Sequence, residues 1–127
     1  MTIAEVSKKY DLSQDTLRYY ERIGLLPGVN RNKSGLRNYN EEDLRWVEFI
    51  KCMRNAGLPI EALIEYVNLF QQGDGTKEAR KELLIEQRSI LFQKMEEIKK
   101  TIERLDHKIE RYEQSLSVKE QELKRHD

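Results

Sequence analysis

Apolar residues recur at helical spacing through most of this chain, and the breaks between the periodic stretches mark five helices and one short hairpin. Ile3, Val6 and Tyr10 share one helical face, Thr2 stands in N-cap position, and Glu5 three residues later completes a capping box. After the link Asp11-Leu12 a second helix opens at Ser13, whose hydroxyl can accept a backbone N–H of the first turn. Asp15 complements the positive helix end, Leu17, Tyr20 and Ile23 recur on one side, and Gly24 stops the run. Two short helices joined this closely are expected to bury Ile3, Val6, Leu12, Leu17 and Ile23 together, as a helix-turn-helix does.

The next stretch places apolar edges, Leu25 to Val29 and Leu36 to Tyr39, around a polar turn of Asn, Ser and Gly, which predicts a small hairpin. Pro27 confines its arm to an edge. Asn40 then caps a third helix with Glu41, Glu42 and Asp43 in its first turn and Leu44, Val47, Ile50 and Met53 on its buried face, ending at Gly57. Pro59 opens a fourth at the favoured first position, carrying Ile60, Leu63, Ile64, Val67 and Phe70 to about Gln72. Trp46 and Phe49 add bulk where this pair backs the helix-turn-helix.

Residues 73–75, Gly-Asp-Gly, form the expected hinge, and from Thr76 the chain is helix-forming without another Gly or Pro. Leu84, Leu91, Met95, Ile98, Ile102, Leu105, Ile109, Tyr112 and Leu116 follow a heptad seam in which Arg88 fills the one missing position. A helix over 76–116 is roughly 60 Å long. Its apolar stripe needs a partner helix, most simply that of a second copy, because the tail after Leu116 is too short to fold back over the whole seam. The expected organisation is a head over 1–72, the hinge at 73–75, and a dimerisation helix with a short tail over 76–127.

Composition sharpens this only in part. Charged residues make up 36% of the 127 and balance exactly, so net charge alone announces no nucleic-acid partner. Residues 1–40, however, hold seven Lys/Arg against four Asp/Glu, which places the local basic surplus on the helix-turn-helix and the hairpin. No apolar run approaches the roughly 18 residues needed to cross a bilayer, and no signal-peptide layout opens the chain, so a cytoplasmic protein without a membrane partner is expected. The single Cys52 rules out an internal disulfide or a cysteine-rich zinc site within one chain, and His107 and His126 lack partner spacing, so neither metal nor cofactor is expected.

The exposed face of the second helix carries Gln14, Arg18, Tyr19 and Arg22, side chains of the kinds that reach phosphates and base edges. Such a face can also be merely solvated. The position of the hairpin directly afterwards favours DNA, because Arg31, Lys33 and Arg37 give it a cationic tip suited to a phosphate backbone, and Arg54 with Asn55 offers a second contact.

The chain resembles the MerR family of transcriptional regulators. The likeness is carried by residues 3–6 (Ile-Ala-Glu-Val), residues 16–26 (Thr-Leu-Arg-Tyr-Tyr-Glu-Arg-Ile-Gly-Leu-Leu), residues 37–39 (Arg-Asn-Tyr), residues 43–50 and residues 54–60 (Arg-Asn-Ala-Gly-Leu-Pro-Ile). The resemblance implies a mainly α protein with a winged helix-turn-helix head and an antiparallel coiled-coil homodimer. It further implies a near-palindromic operator in double-stranded promoter DNA, and activation by distorting that DNA so that RNA polymerase engages. By position it carries Thr16, Arg18, Tyr19 and Tyr20 to the major groove or its phosphates, and Arg37 and Tyr39 to the wing.

Metal-sensing relatives place cysteines at the ends of the long helix, and this chain has none there. Cys52 lies between Lys51 and Arg54, cations that would favour a thiolate, although a lone helical cysteine is commonly a small apolar filler. Its surroundings, residues 49–60, resemble the aldehyde- and thiol-responsive branch of the family, which implies a sensor thiol. The alternatives are an inert Cys52 with a small-molecule pocket near Trp46, Phe49, Tyr66 and Phe70, between head and coiled coil, or a coiled-coil adaptor that binds protein. Catalysis is not expected, because no phosphate-cradling loop or nucleophile–base pair is present.

Overall fold

The computed structural model describes residues 1–29 and 35–125, which form α1 (Ile3–Tyr10), α2 (Gln14–Arg22), α3 (Glu41–Asn55), α4 (Ile60–Gln71), a 3-10 turn (Asp74–Thr76) and α5 (Lys77–Arg125). They divide into two compact units, Met1–Gln87 and the chain from Arg88 onward.

Local chemistry sets the helix ends of the first unit. Thr2 and Glu5 form the reciprocal capping box of α1, and Ser13 Oγ accepts the Thr16 N–H at 3.0 Å to cap α2. The turn between them is made by Asp11 in the left-handed region (φ 53, ψ 49), a conformation Asp tolerates better than most non-glycine residues. Leu12 N–H donates back to Ser7 O at 3.1 Å. Gly24 takes φ +83 so that Leu25 N–H reaches Tyr20 O at 2.8 Å, a bond that closes α2. Asn40 and Asp43 cap α3 reciprocally at 2.8 and 2.9 Å, which accounts for a buried carboxylate at Asp43. Pro59 has extended backbone (ψ 147) and is the N-cap of α4, one position earlier than the first-turn placement its sequence suggests.

Val6, Leu17, Leu25, Leu26, Val47, Ile50, Leu58, Leu63 and Val67 form the core of this unit, with Tyr39 and Trp46 among them. α1 packs on both α2 and α3. Of the five residues expected to be buried by the helix-turn-helix, Val6 and Leu17 are fully buried, while Ile3, Leu12 and Ile23 are half-buried. The unit continues into the first turns of α5, where Leu83 is buried and the Arg80 guanidinium sits 5.3 Å from the Phe70 ring centroid.

Among the described residues neither arm of the expected hairpin forms a strand, the second making only an isolated β-bridge at Arg37, and the tip, with Arg31 and Lys33, lies outside them. The second arm is also held by a reciprocal backbone pair in which Met1 N donates to Tyr39 O and Tyr39 N–H to Met1 O, each at 2.8 Å. The Gly-Asp-Gly segment carries the 3-10 turn, tied by Thr76 Oγ1 to Leu69 O at 2.6 Å and to Gly73 O at 2.7 Å.

α5 is one uninterrupted helix of 49 residues, about 73 Å at 1.5 Å per residue. In the second unit its seam positions Met95, Ile98, Ile102, Leu105, Ile109, Tyr112 and Leu116 are all exposed.

Candidate nucleic-acid interface

α2 presents two opposite faces, and burial of Leu17 beneath the helix orients the outer one. On that outer face the Tyr19 side chain is exposed, and the Arg22 guanidinium carbon lies 5.5 Å from its ring centroid, close enough for a cation–π contact. Tyr20 is half-buried, its ring 6.2 Å from that of Tyr19. Gln14 and Thr16 are half-buried at the N-terminal end, where the hydroxyls of Thr16 and Ser13 lie 2.7 Å apart. The Arg18 guanidinium donates through Nη1 to Asp15 Oδ1 at 3.1 Å and through Nη2 to Gln14 Oε1 at 3.3 Å.

Three residues expected at the surface are instead engaged within the fold. Arg37 Nε pairs with Glu21 Oε2 at 2.5 Å, both side chains 20% exposed, so the second hairpin arm is tied to α2 by charge. Tyr39 is 2% exposed rather than displayed on a wing, and its hydroxyl has no hydrogen-bond partner among the described residues. Burial, followed by the nearby Glu21 carboxylate, raises its pKa above the ordinary 10.0 because both disfavour a phenolate. Arg54 Nη1 donates to Leu58 O at 2.7 Å, closing the α3–α4 turn in which Gly57 adopts φ +95.

Cys52 is a free, exposed thiol on α3. Both cations near it in sequence are engaged with backbone carbonyls, Lys51 Nζ with Tyr10 O and Arg54 with Leu58 O. Trp46 and Phe49 from earlier turns of α3 gather with Tyr66 and Phe70 of α4 and, with Glu42 and Arg45, line a cleft of about 280 Å³ that lies within the head, not between head and coiled coil as the sequence suggested. The cleft lies between α3 and α4. Trp46 meets Phe70 edge-on at 4.9 Å, and Phe49 lies 5.6 Å from Tyr66. Among the described residues no group of three or more His, Cys, Asp or Glu is placed to hold a metal ion, and no helix is long and apolar enough to cross a membrane.

The Asp15–Arg18–Gln14 cluster and the Glu21–Arg37 pair were not anticipated from the sequence. The first carries a local signal, since Asp15 and Arg18 are one helical turn apart. The second joins residues sixteen positions apart and has no sequence signal of that kind.

The fold and this geometry have counterparts among known proteins. Residues 1–69 match the profile of the MerR HTH family regulatory proteins, and residues 44–108 match that of the MerR DNA-binding region. The HTH-type transcriptional regulator AdhR of Bacillus subtilis is 60% identical over 93 residues, 73% of this chain and 66% of AdhR, so the match spans just under two thirds of that relative's length. A Listeria monocytogenes protein described as a MerR-family transcriptional regulator superposes with a TM-score of 0.91 at 49% identity, covering 98% of this chain and 94% of that one. HiNmlR, a MerR-family regulator lacking the sensor domain and crystallised on promoter DNA, superposes with a TM-score of 0.82 at 29% identity, covering 91% and 92%. These relatives are regulators rather than enzymes. With a helix-turn-helix head and a long C-terminal helix matched in sequence and in structure, the chain belongs to the MerR family of transcriptional regulators.

Proposed function

We propose that this regulator works as a homodimer whose two heads, each over 1–72, grip the half-sites of a near-palindromic promoter operator, with 73–75 as the hinge and 76–127 forming an antiparallel coiled coil. The carrying observation is that the seam of α5, from Met95 to Leu116, is exposed in a single chain. A second copy removes that stripe from water and fixes the separation of two recognition helices, whose binding energies then add. Thr16, Arg18, Tyr19 and Arg22, with Gln14 and Tyr20 at the edge of the face, supply the contacts to groove and phosphate. Arg31 and Lys33 add phosphate contacts from the hairpin tip. Arg37, Tyr39 and Arg54 serve the interface by holding the wing and the α3–α4 turn in place. Bound in the cytoplasm at a promoter, the dimer distorts the duplex so that RNA polymerase engages.

Sedimentation velocity combined with fluorescence anisotropy on duplexes selected from a random library tests this reading. The expected result is a dimer whose affinity falls steeply with salt. A monomer that binds with full affinity overturns it.

The effector we assign is an aldehyde or related electrophile that modifies Cys52, whose thiol is exposed on α3. Cys52→Ser is expected to keep duplex binding and lose the response to formaldehyde, and a variant that responds normally refutes the assignment. The 280 Å³ aromatic cleft supports a second reading, in which Cys52 is inert and a small apolar molecule binds at Trp46. Mass spectrometry of formaldehyde-treated protein separates the two: an unmodified thiol with ligand-dependent Trp46 fluorescence favours the cleft.

A further inference from the structure

The outer face of α2 contains a residue at odds with an anionic partner. Asp15 stands in the first turn, its side chain 96% exposed, on the helix that offers Arg18, Tyr19 and Arg22 to the duplex. A first-turn acid favours the helix dipole, yet the end of α2 is already capped by Ser13. A carboxylate on a surface that receives phosphates repels them, and a local choice that works against the function of its surface calls for a role there.

The contacts of Asp15 supply one. Its Oδ1 accepts Arg18 Nη1 at 3.1 Å while Gln14 Oε1 accepts Nη2 at 3.3 Å, so two neighbours from the preceding turn hold the one guanidinium. A guanidinium carries five N–H donors in a fixed fork. Those left over are oriented by the clamp.

Resting on the reading of α2 as the duplex-facing helix, we propose that Asp15 is a specificity-determining residue that holds the Arg18 guanidinium and withholds it from phosphates unaccompanied by a matching base. The paired Asp15 and Arg18 have no net charge, so together they release no counterions from an arbitrary duplex. To serve a phosphate, Arg18 must leave the clamp and uncover a carboxylate beside the DNA. At a matching site the oriented donors meet acceptors on a purine edge, so the pair is used intact. Asp15 thus weakens binding to wrong sequences more than to the right one.

The test uses the full-length protein and two duplexes of equal length and composition, one selected by the wild type from a random library and one scrambled. Asp15→Asn is expected to tighten binding to the scrambled duplex by about tenfold at low salt and to steepen its salt dependence by about one counterion per head, with less than about threefold change on the selected duplex. A purely structural role for Asp15 shifts both affinities by the same factor, and that result overturns the proposal while leaving duplex recognition intact. In an Arg18→Ala background the loss of discrimination on Asp15→Asn must disappear. If it persists, Asp15 repels phosphates by itself and the clamp is refuted. Failure of the wild type to bind any duplex overturns both this inference and the reading it rests on.

Discussion

Arg54 admits two roles, and replacing it with Met separates them. As a phosphate contact it contributes one counterion to the salt dependence of duplex binding and nothing to stability. The structure gives it a different task, since Nη1 donates to Leu58 O at 2.7 Å, from the last turn of α3 to the turn that Gly57 makes before α4. A hydrogen bond from a charged donor contributes about 1.5–3 kcal/mol, and the lower half of that range applies because the bond is only partly buried. Met keeps most of the aliphatic stem while removing the donor, which leaves the Leu58 carbonyl unpartnered by the side chain. The expected loss is therefore about 1.5 kcal/mol, or roughly 6–12 °C in Tm for a unit of this size. Thermal unfolding followed by circular dichroism measures it, at one fixed protein concentration because assembly also moves Tm. The salt dependence of duplex affinity is expected to stay unchanged. An unaltered Tm together with a salt dependence shallower by about one refutes the reasoning.

Other outcomes follow from burial and charge. Tyr39→Phe removes a buried hydroxyl that has no partner among the described residues and is expected to raise stability by about 1 kcal/mol, read from urea unfolding. Because the folded pKa of Tyr39 lies above its ordinary 10.0, the neutral side chain's contribution is complete below pH 10 and is lost as pH rises through the folded value. The advantage of Phe should therefore widen in alkali, and a constant difference would argue against the burial mechanism. Leu17→Ala, at a fully buried position under α2, is expected to cost about 3 kcal/mol in chemical denaturation. Leu105→Lys changes an exposed position in the single chain but places an ammonium in the proposed dimer seam. Sedimentation should show at least tenfold weaker self-association with helical content retained in the head, and an intact dimer would place the seam elsewhere.

Features set by neighbours within one helical turn were legible in the sequence. Thr2 with Glu5, Ser13 and Asn40 are caps whose partners lie three residues away, and the heptad seam of α5 needs only spacing. The aromatic group at Trp46, Phe49, Tyr66 and Phe70 was legible as well, since α3 and α4 are joined by a short turn and carry these rings at helical spacing. Side chains whose partners lie farther along the chain were not. Arg37 and Tyr39 look like surface residues of a hairpin until Glu21 supplies a charge partner and Met1 a backbone partner. Arg54 and Lys51 look like free cations, yet a guanidinium or ammonium can as readily close a helix end as meet a phosphate, and composition does not distinguish the two.

The ion pair between Glu21 and Arg37 makes a caliper of the head. One jaw is α2, the helix proposed to face the duplex, and the other is the arm beside it, and the gap between them is set by a contact that both side chains keep at one-fifth exposure. In the proposed complex a double helix seated against both jaws would have to match that gap, and where its own grooves are wider or narrower, the nucleic acid would be the partner to yield. Stiffness inside one small head would then select DNA by its pliability, at base pairs that no side chain reaches.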